Sequence, residues 1–175
     1  MPRSLSRFPV LDQSIGGFFA GELSVWTGRR GMGKSTLLSQ LLLEALDQGH
    51  AVCAYSGELP KEQFREWTYL QAAGPEHVVY RTDEMTGKSI AQADPMADKL
   101  ISEWIDQRYW LFDLERNTSH DPETILRQFE YARMRYNCDV FLVDNIMSVD
   151  FSGYSDRDFN RIQSKFTQML STFCK

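Results

Sequence analysis

A chain of 175 residues is long enough to bury a sizeable core within one domain. Its hydrophobic fraction of 42% and charged fraction of 25% are ordinary for a globular protein, and no apolar run approaches the roughly 20 residues of a membrane span. A net charge of −5 argues against a globally basic nucleic-acid-binding surface, while leaving room for local loops that touch phosphates.

The start, Met1-Pro2-Arg3-Ser4, lacks the apolar stretch of a signal peptide. Cys53, Cys138 and Cys174 are far apart and odd in number, which suggests neither a zinc site nor a disulfide framework. A reducing cytoplasm fits best.

Residues 1–20 read as a lead-in and 21–175 as the core. Glu22 to Thr27 reads as a short buried strand, and Ser35 to Gln48 as a helix whose apolar side carries Leu38, Leu41, Leu42, Ala45 and Leu46. Between them lies Gly28-Arg29-Arg30-Gly31-Met32-Gly33-Lys34-Ser35, the pattern G-x-x-x-x-G-K-[ST]. Strand, glycine loop and helix in that order is the context in which this pattern holds a nucleoside triphosphate.

Gly49 stops the helix, and Ala51 to Ser56 is a second strand. Pro60 opens a helix to about Gln71, ended by Gly74-Pro75. Residues 76–95 read as an irregular, polar loop or small subdomain. Met96 to Gln107 has Leu100, Ile101, Trp104 and Ile105 at helical spacing, and Tyr109 to Leu114 is a third strand.

Asp121-Pro122 starts a helix with Asp as N-cap and Pro at the first helical position. Asp139 to Asp144 is a fourth strand, apolar on both faces and so expected in the middle of the sheet. Phe159, Ile162, Phe166, Met169, Leu170 and Phe173 mark a last helix. The alternation implies an α/β fold, a mainly parallel sheet with helices on both faces. A helix this apolar normally leads back into the sheet, so at least one further strand is expected beyond Lys175.

The glycine loop brings its own chemistry. Its backbone N–H groups and the helix N-terminus can surround phosphate, a role expected of Gly28, Arg29, Arg30, Gly31, Met32, Gly33 and Thr36 as a segment. Lys34 would reach the β- and γ-phosphates, and the Ser35 hydroxyl would ligate Mg²⁺. As variable positions of the loop, Arg29 and Arg30 equally suit solvent.

Asp144 closes an apolar strand in the Walker B manner, where a carboxylate can hold a Mg²⁺-bound water. Asp150 is a rival with only a short apolar segment before it. Glu58, just past the second strand, suits a base for the attacking water or, equally from spacing, an exposed glutamate that helps start the next helix. His50, His77 and His120 show no ligand spacing, and Trp67, Trp104 and Trp110 read as core or interface packing.

The stretch Leu11-Asp12, Gly16-Gly17 and Gly21-Glu22-Leu23 resembles the lead-in of RecA-like P-loop ATPases. Gly31 to Thr36 is similar to the phosphate loop of DnaB-type replicative helicases, above all the phage primase–helicases and the Twinkle-like branch. The resemblance covers Leu11 to Lys175. It implies ATP and Mg²⁺ as ligands, Glu58 as catalytic base, Asp144 as the Walker B aspartate, single-stranded DNA as partner and a homo-oligomeric, hexameric ring with no membrane association. Asn145 departs from the tyrosine or histidine common at that position. The polar sensor, DNA-binding loop and arginine finger of that family are expected beyond Lys175.

By the same resemblance Asn145 to Asp158 corresponds to a mobile loop near the central channel, with Phe151 and Tyr154 available to stack on bases. A solvated linker is the plainer reading of those residues. The lead-in is shared with recombination and regulatory ATPases that do not unwind DNA, and a non-catalytic nucleotide-binding remnant is a third reading.

Overall fold

The computed structural model describes residues 3–112, 120–153 and 159–175. Asp113 and Leu114 of the expected third strand, and Tyr154 to Asp158 of the loop before the last helix, lie outside the described residues.

The lead-in forms a small unit of its own. β1 (Arg3–Ser4) pairs antiparallel with β2 (Phe18–Phe19) around α1 (Pro9–Ile15). Asp12 Oδ1 accepts from both the Ser6 amide and the Ser6 hydroxyl at 2.8 Å, and Gly16 ends α1 in the left-handed conformation at φ 77°. This unit is tied to α2 (Lys34–Asp47). Gln48 exchanges two 2.8 Å hydrogen bonds with the Leu5 backbone, and Arg7 reaches Glu44 at 3.3 Å and Asp47 at 2.6 Å.

After α2 come β3 (Val52–Ser56), α3 (Lys61–Ala73), β4 (Val78–Thr82), β5 (Ser89–Ala93) and α4 (Pro95–Ile105). β6 (Tyr109–Leu111), α5 (Pro122–Tyr136), β7 (Val140–Asp144) and α6 (Phe159–Cys174) complete the order. β6, β3 and β7 form a parallel sheet in that order, with Val52 opposite both Tyr109 and Val140 and Ser56 opposite Asp144. All five residues of β3 are buried, as a central strand covered on both faces requires.

Alternation along β3 divides the core into two layers. Val52 and Ala54 pack with Leu42 and Leu46 of α2, Phe64 of α3, Ile101 of α4 and Leu142 of β7. Cys53 and Tyr55 point the other way, into Ile125 and Phe129 of α5 and Ile162 and Phe166 of α6. The expected α/β sheet with helices on both faces is therefore present. Phe129 is fully buried, beside the rings of Phe141 and Phe173. Phe129→Ala is expected to cost about 3–5 kcal/mol of stability in a denaturant titration, because the layer cannot collapse into the space left.

The structure corrects the sequence reading in four places. Glu22 to Thr27 forms no strand, makes no sheet pairing and leaves Val25 66% exposed. β7 is an edge strand among the described residues, because its apolar character reports helices on its faces and not partners on its edges. Residues 78–93 are not irregular but form an antiparallel hairpin, which fits the small subdomain and not the loop. Asp83 builds its turn, accepting from the Met85 and Thr86 amides, with Gly87 at φ 66°. Phe151 is buried against Phe166, so it is a core residue and not a platform for bases.

Trp110 stacks flat on Tyr136 with ring centroids 3.5 Å apart and Trp104 packs against the first layer, as read from sequence, whereas Trp67 is 43% exposed. Among the described residues no helix is long and apolar enough to cross a membrane.

Candidate active site

Parallel strands send their C-terminal ends to one edge of the sheet, and loops after neighbouring strands meet there. β3 and β7 are in register, so Ser56 lies beside Asp144 and the two chains leave the sheet together. The Gly57 amide donates to the Asp144 carbonyl at 2.9 Å. Glu58 and Asn145, one step further along each chain, are thereby brought to face each other.

The glycine loop closes on the same edge. Gly31 and Gly33 adopt φ 78° and 77°, a region that only glycine enters without strain, and Gly33 is the N-cap of α2. No side chain caps that helix, so its first amides are available to an anion. Lys34 begins the helix and folds across the loop, its Nζ donating to the Gly28 and Arg29 carbonyls at 3.0 Å each.

Arg29, Arg30 and Met32 are exposed at the loop surface. The Thr36 carbonyl accepts from Gln71 Nε2 at 3.0 Å and from the Ser39 hydroxyl at 3.1 Å, and Ser39 also donates to Gln71 Oε1. Gln71 of α3 thus clamps the first turn of α2. Sequence reasoning missed it, since nothing in the pattern around Gln71 distinguishes it from a solvated helix residue.

Asp144 is buried to 5% exposure at the end of β7. Burial pushes its carboxyl above the usual carboxylate range; a hydrogen bond from the Ser35 side chain opposes this, the charge of Glu58 adds to it and that of Lys34 opposes it. Strand register sets the Glu58 loop beside Asp144, and Ser35, Glu58 and Lys34 all act on the Asp144 carboxyl, so residues of three separate segments meet at this edge. A cation held beside Asp144 would compete with the proton on its carboxyl, so its affinity would fall as pH drops through the raised range.

Asp150 is not part of this group. It is exposed, accepts from the Ser152 amide at 2.8 Å, and its own amide donates to the His120 carbonyl at 3.0 Å. Glu58 is exposed, and its Oε1 accepts from Asn145 Nδ2 at 2.5 Å. Asn145 is the residue that the sequence marked only as a departure from a family pattern. Its position one residue after an apolar strand ending in a carboxylate is the signal that could have drawn attention to it.

The residues present suit a magnesium-bound nucleoside triphosphate: an uncapped helix N-terminus and amine for phosphate, a hydroxyl and a buried carboxylate for the cation, a second carboxylate in reach. A family model described as an AAA domain matches residues 1–173. No curated protein matches the chain. With the glycine loop, the parallel sheet and this match over nearly all its length, the chain belongs to the AAA domain family, the P-loop nucleotide-binding ATPases.

Proposed function

We propose that the chain hydrolyses ATP at the site formed by Gly28 to Thr36, Glu58 and Asp144, and that it is the motor core of a DnaB-type helicase. The convergence of Lys34, Ser35, Glu58 and Asp144 at one sheet edge is the observation that carries the first half. Lys34 and the loop amides would hold the β- and γ-phosphates, while Ser35 and Asp144 would hold Mg²⁺. The bound cation would neutralise charge on the phosphates.

Glu58 accepts a proton from the water that attacks the terminal phosphorus, the phosphorus–oxygen bond to ADP breaks, and phosphate and ADP leave. Glu58 is exposed, whereas Asp144 is buried and its carboxyl is influenced by the Ser35 side chain. That difference supports Glu58 as the base and Asp144 as the residue that would hold the cation.

The helicase assignment rests on the lead-in and loop motifs, which resemble those of ring motors that pass single-stranded DNA through a hexameric assembly. A regulatory or recombination ATPase without unwinding is the second reading, and one observation favours it. In the described part of the loop after β7, Phe151 is turned into the core and Asp150 is exposed, so neither offers DNA a stacking face or a cation.

Strand displacement on forked DNA, run beside phosphate release, separates the two. ATP-dependent displacement is expected of the helicase. Hydrolysis without displacement would remove the helicase claim and leave the ATPase standing.

A further inference from the structure

We propose that Asn145 is a positioning residue for Glu58, a step that rests on the reading of Glu58 as the base. Glu58 sits on a loop, is exposed, and has a side chain with three rotatable bonds. Left alone it would spread over many rotamers, few of them facing the terminal phosphate. The structure gives it one side-chain partner among the described residues, Asn145 Nδ2 on Oε1 at 2.5 Å.

Asn145 can fill that part because its own amide is held. The Met147 amide donates to Asn145 Oδ1 at 2.8 Å, which occupies the carbonyl end and leaves the NH₂ end to turn toward Glu58. The backbone beneath is held too. The Asn145 carbonyl accepts from the Ser148 hydroxyl at 2.6 Å and the Ser148 amide at 3.2 Å, and the Ser148 carbonyl accepts from the Tyr55 hydroxyl at 3.1 Å. Ser148 lies so close to Gly57 that a Cβ there would fall 1.9 Å from its Oγ. Glycine at position 57 is therefore what lets the loops after β3 and β7 pack together.

A neutral donor suits the task. It holds the carboxylate by one oxygen and leaves Oε2 without a hydrogen bond among the described residues, open to a water. An arginine at 145 could grip both oxygens, either cation would lower the carboxylate's affinity for a proton, and an aspartate would repel.

Asn145→Asp is the test variant, because Asp keeps the oxygen that receives the Met147 amide and so keeps the turn. The donor to Glu58 is lost and a like charge takes its place, so the carboxylate is no longer held. In the full chain kcat for ATP is expected to fall about 10- to 100-fold, the scale of a misplaced catalytic group, with nucleotide affinity and melting temperature unchanged. In a Glu58→Gln background the same change is expected to lower turnover no further. The nucleotide-free protein supplies an independent readout: the side-chain amide protons of Asn145 are expected to shift upfield on Glu58→Ala in an NMR spectrum.

Loss of turnover in Glu58→Gln with full turnover in Asn145→Asp would overturn the positioning role alone. Full turnover in Glu58→Gln would overturn the base assignment and this role with it. An Asn145 amide resonance that ignores Glu58→Ala would overturn the contact itself.

Discussion

Glu58→Gln is expected to lower ATP turnover by about 100-fold or more while leaving Mg²⁺·ATP binding intact. Glutamine has the same shape and keeps an oxygen for the Asn145 amide, so the contact at 2.5 Å survives the change. What disappears is the proton acceptor. Steady-state phosphate release, paired with titration of a fluorescent nucleotide, reads the two quantities separately. Turnover near that of the wild type would mean that another group, or water alone, removes the proton.

Lys34→Ala is expected to act on binding instead. The amine crosses the loop between the Gly28 and Arg29 carbonyls, poised beside the uncapped start of α2, and its charge acts on Asp144. Charge-assisted hydrogen bonds contribute about 1.5–3 kcal/mol each, so losing one to phosphate weakens nucleotide binding about 10- to 100-fold. Isothermal titration checks the affinity. Thermal denaturation supplies a second check, since a ligand at 100 times its Kd stabilises the wild type by about 2.7 kcal/mol and the variant by much less. Lys34→Arg is not expected to rescue, because a planar guanidinium does not replace a compact ammonium in a tight loop.

Local chemistry was legible in the sequence, and pairing between distant segments was not. Asp121-Pro122 announced a helix start, and in the structure Asp121 accepts from the Thr124 amide at 2.8 Å. The glycine spacing likewise announced the phosphate-type loop, and in it Gly31 and Gly33 take positive φ values that favour glycine. Glu22 to Thr27 has the composition of a strand, but composition does not set pairing, and among the described residues the free edge of β7 is left without a partner.

The hairpin β4–β5 escaped notice for the opposite reason. Val79, Tyr80 and Ile90 are all exposed, so no buried face imprinted a simple alternation on the segment. Phe151 could not be placed because an aromatic in a polar loop gives no sign of which way it turns. Glu58 was undecided from spacing, and its facing Asn145 across two aligned strands is a consequence of register, which one-dimensional spacing does not contain.

A crystal structure of the protein with Mg²⁺ and a slowly hydrolysed ATP analogue tests the central claim most directly. The expected density has the triphosphate along Gly28 to Thr36, the cation about 2.1 Å from the Ser35 hydroxyl with Asp144 in its outer sphere, and the Glu58 carboxylate, still bonded to Asn145, turned toward the terminal phosphate. Nucleotide bound elsewhere on the protein, or bound at the loop with Glu58 turned away and Asp144 remote from the cation, would contradict it.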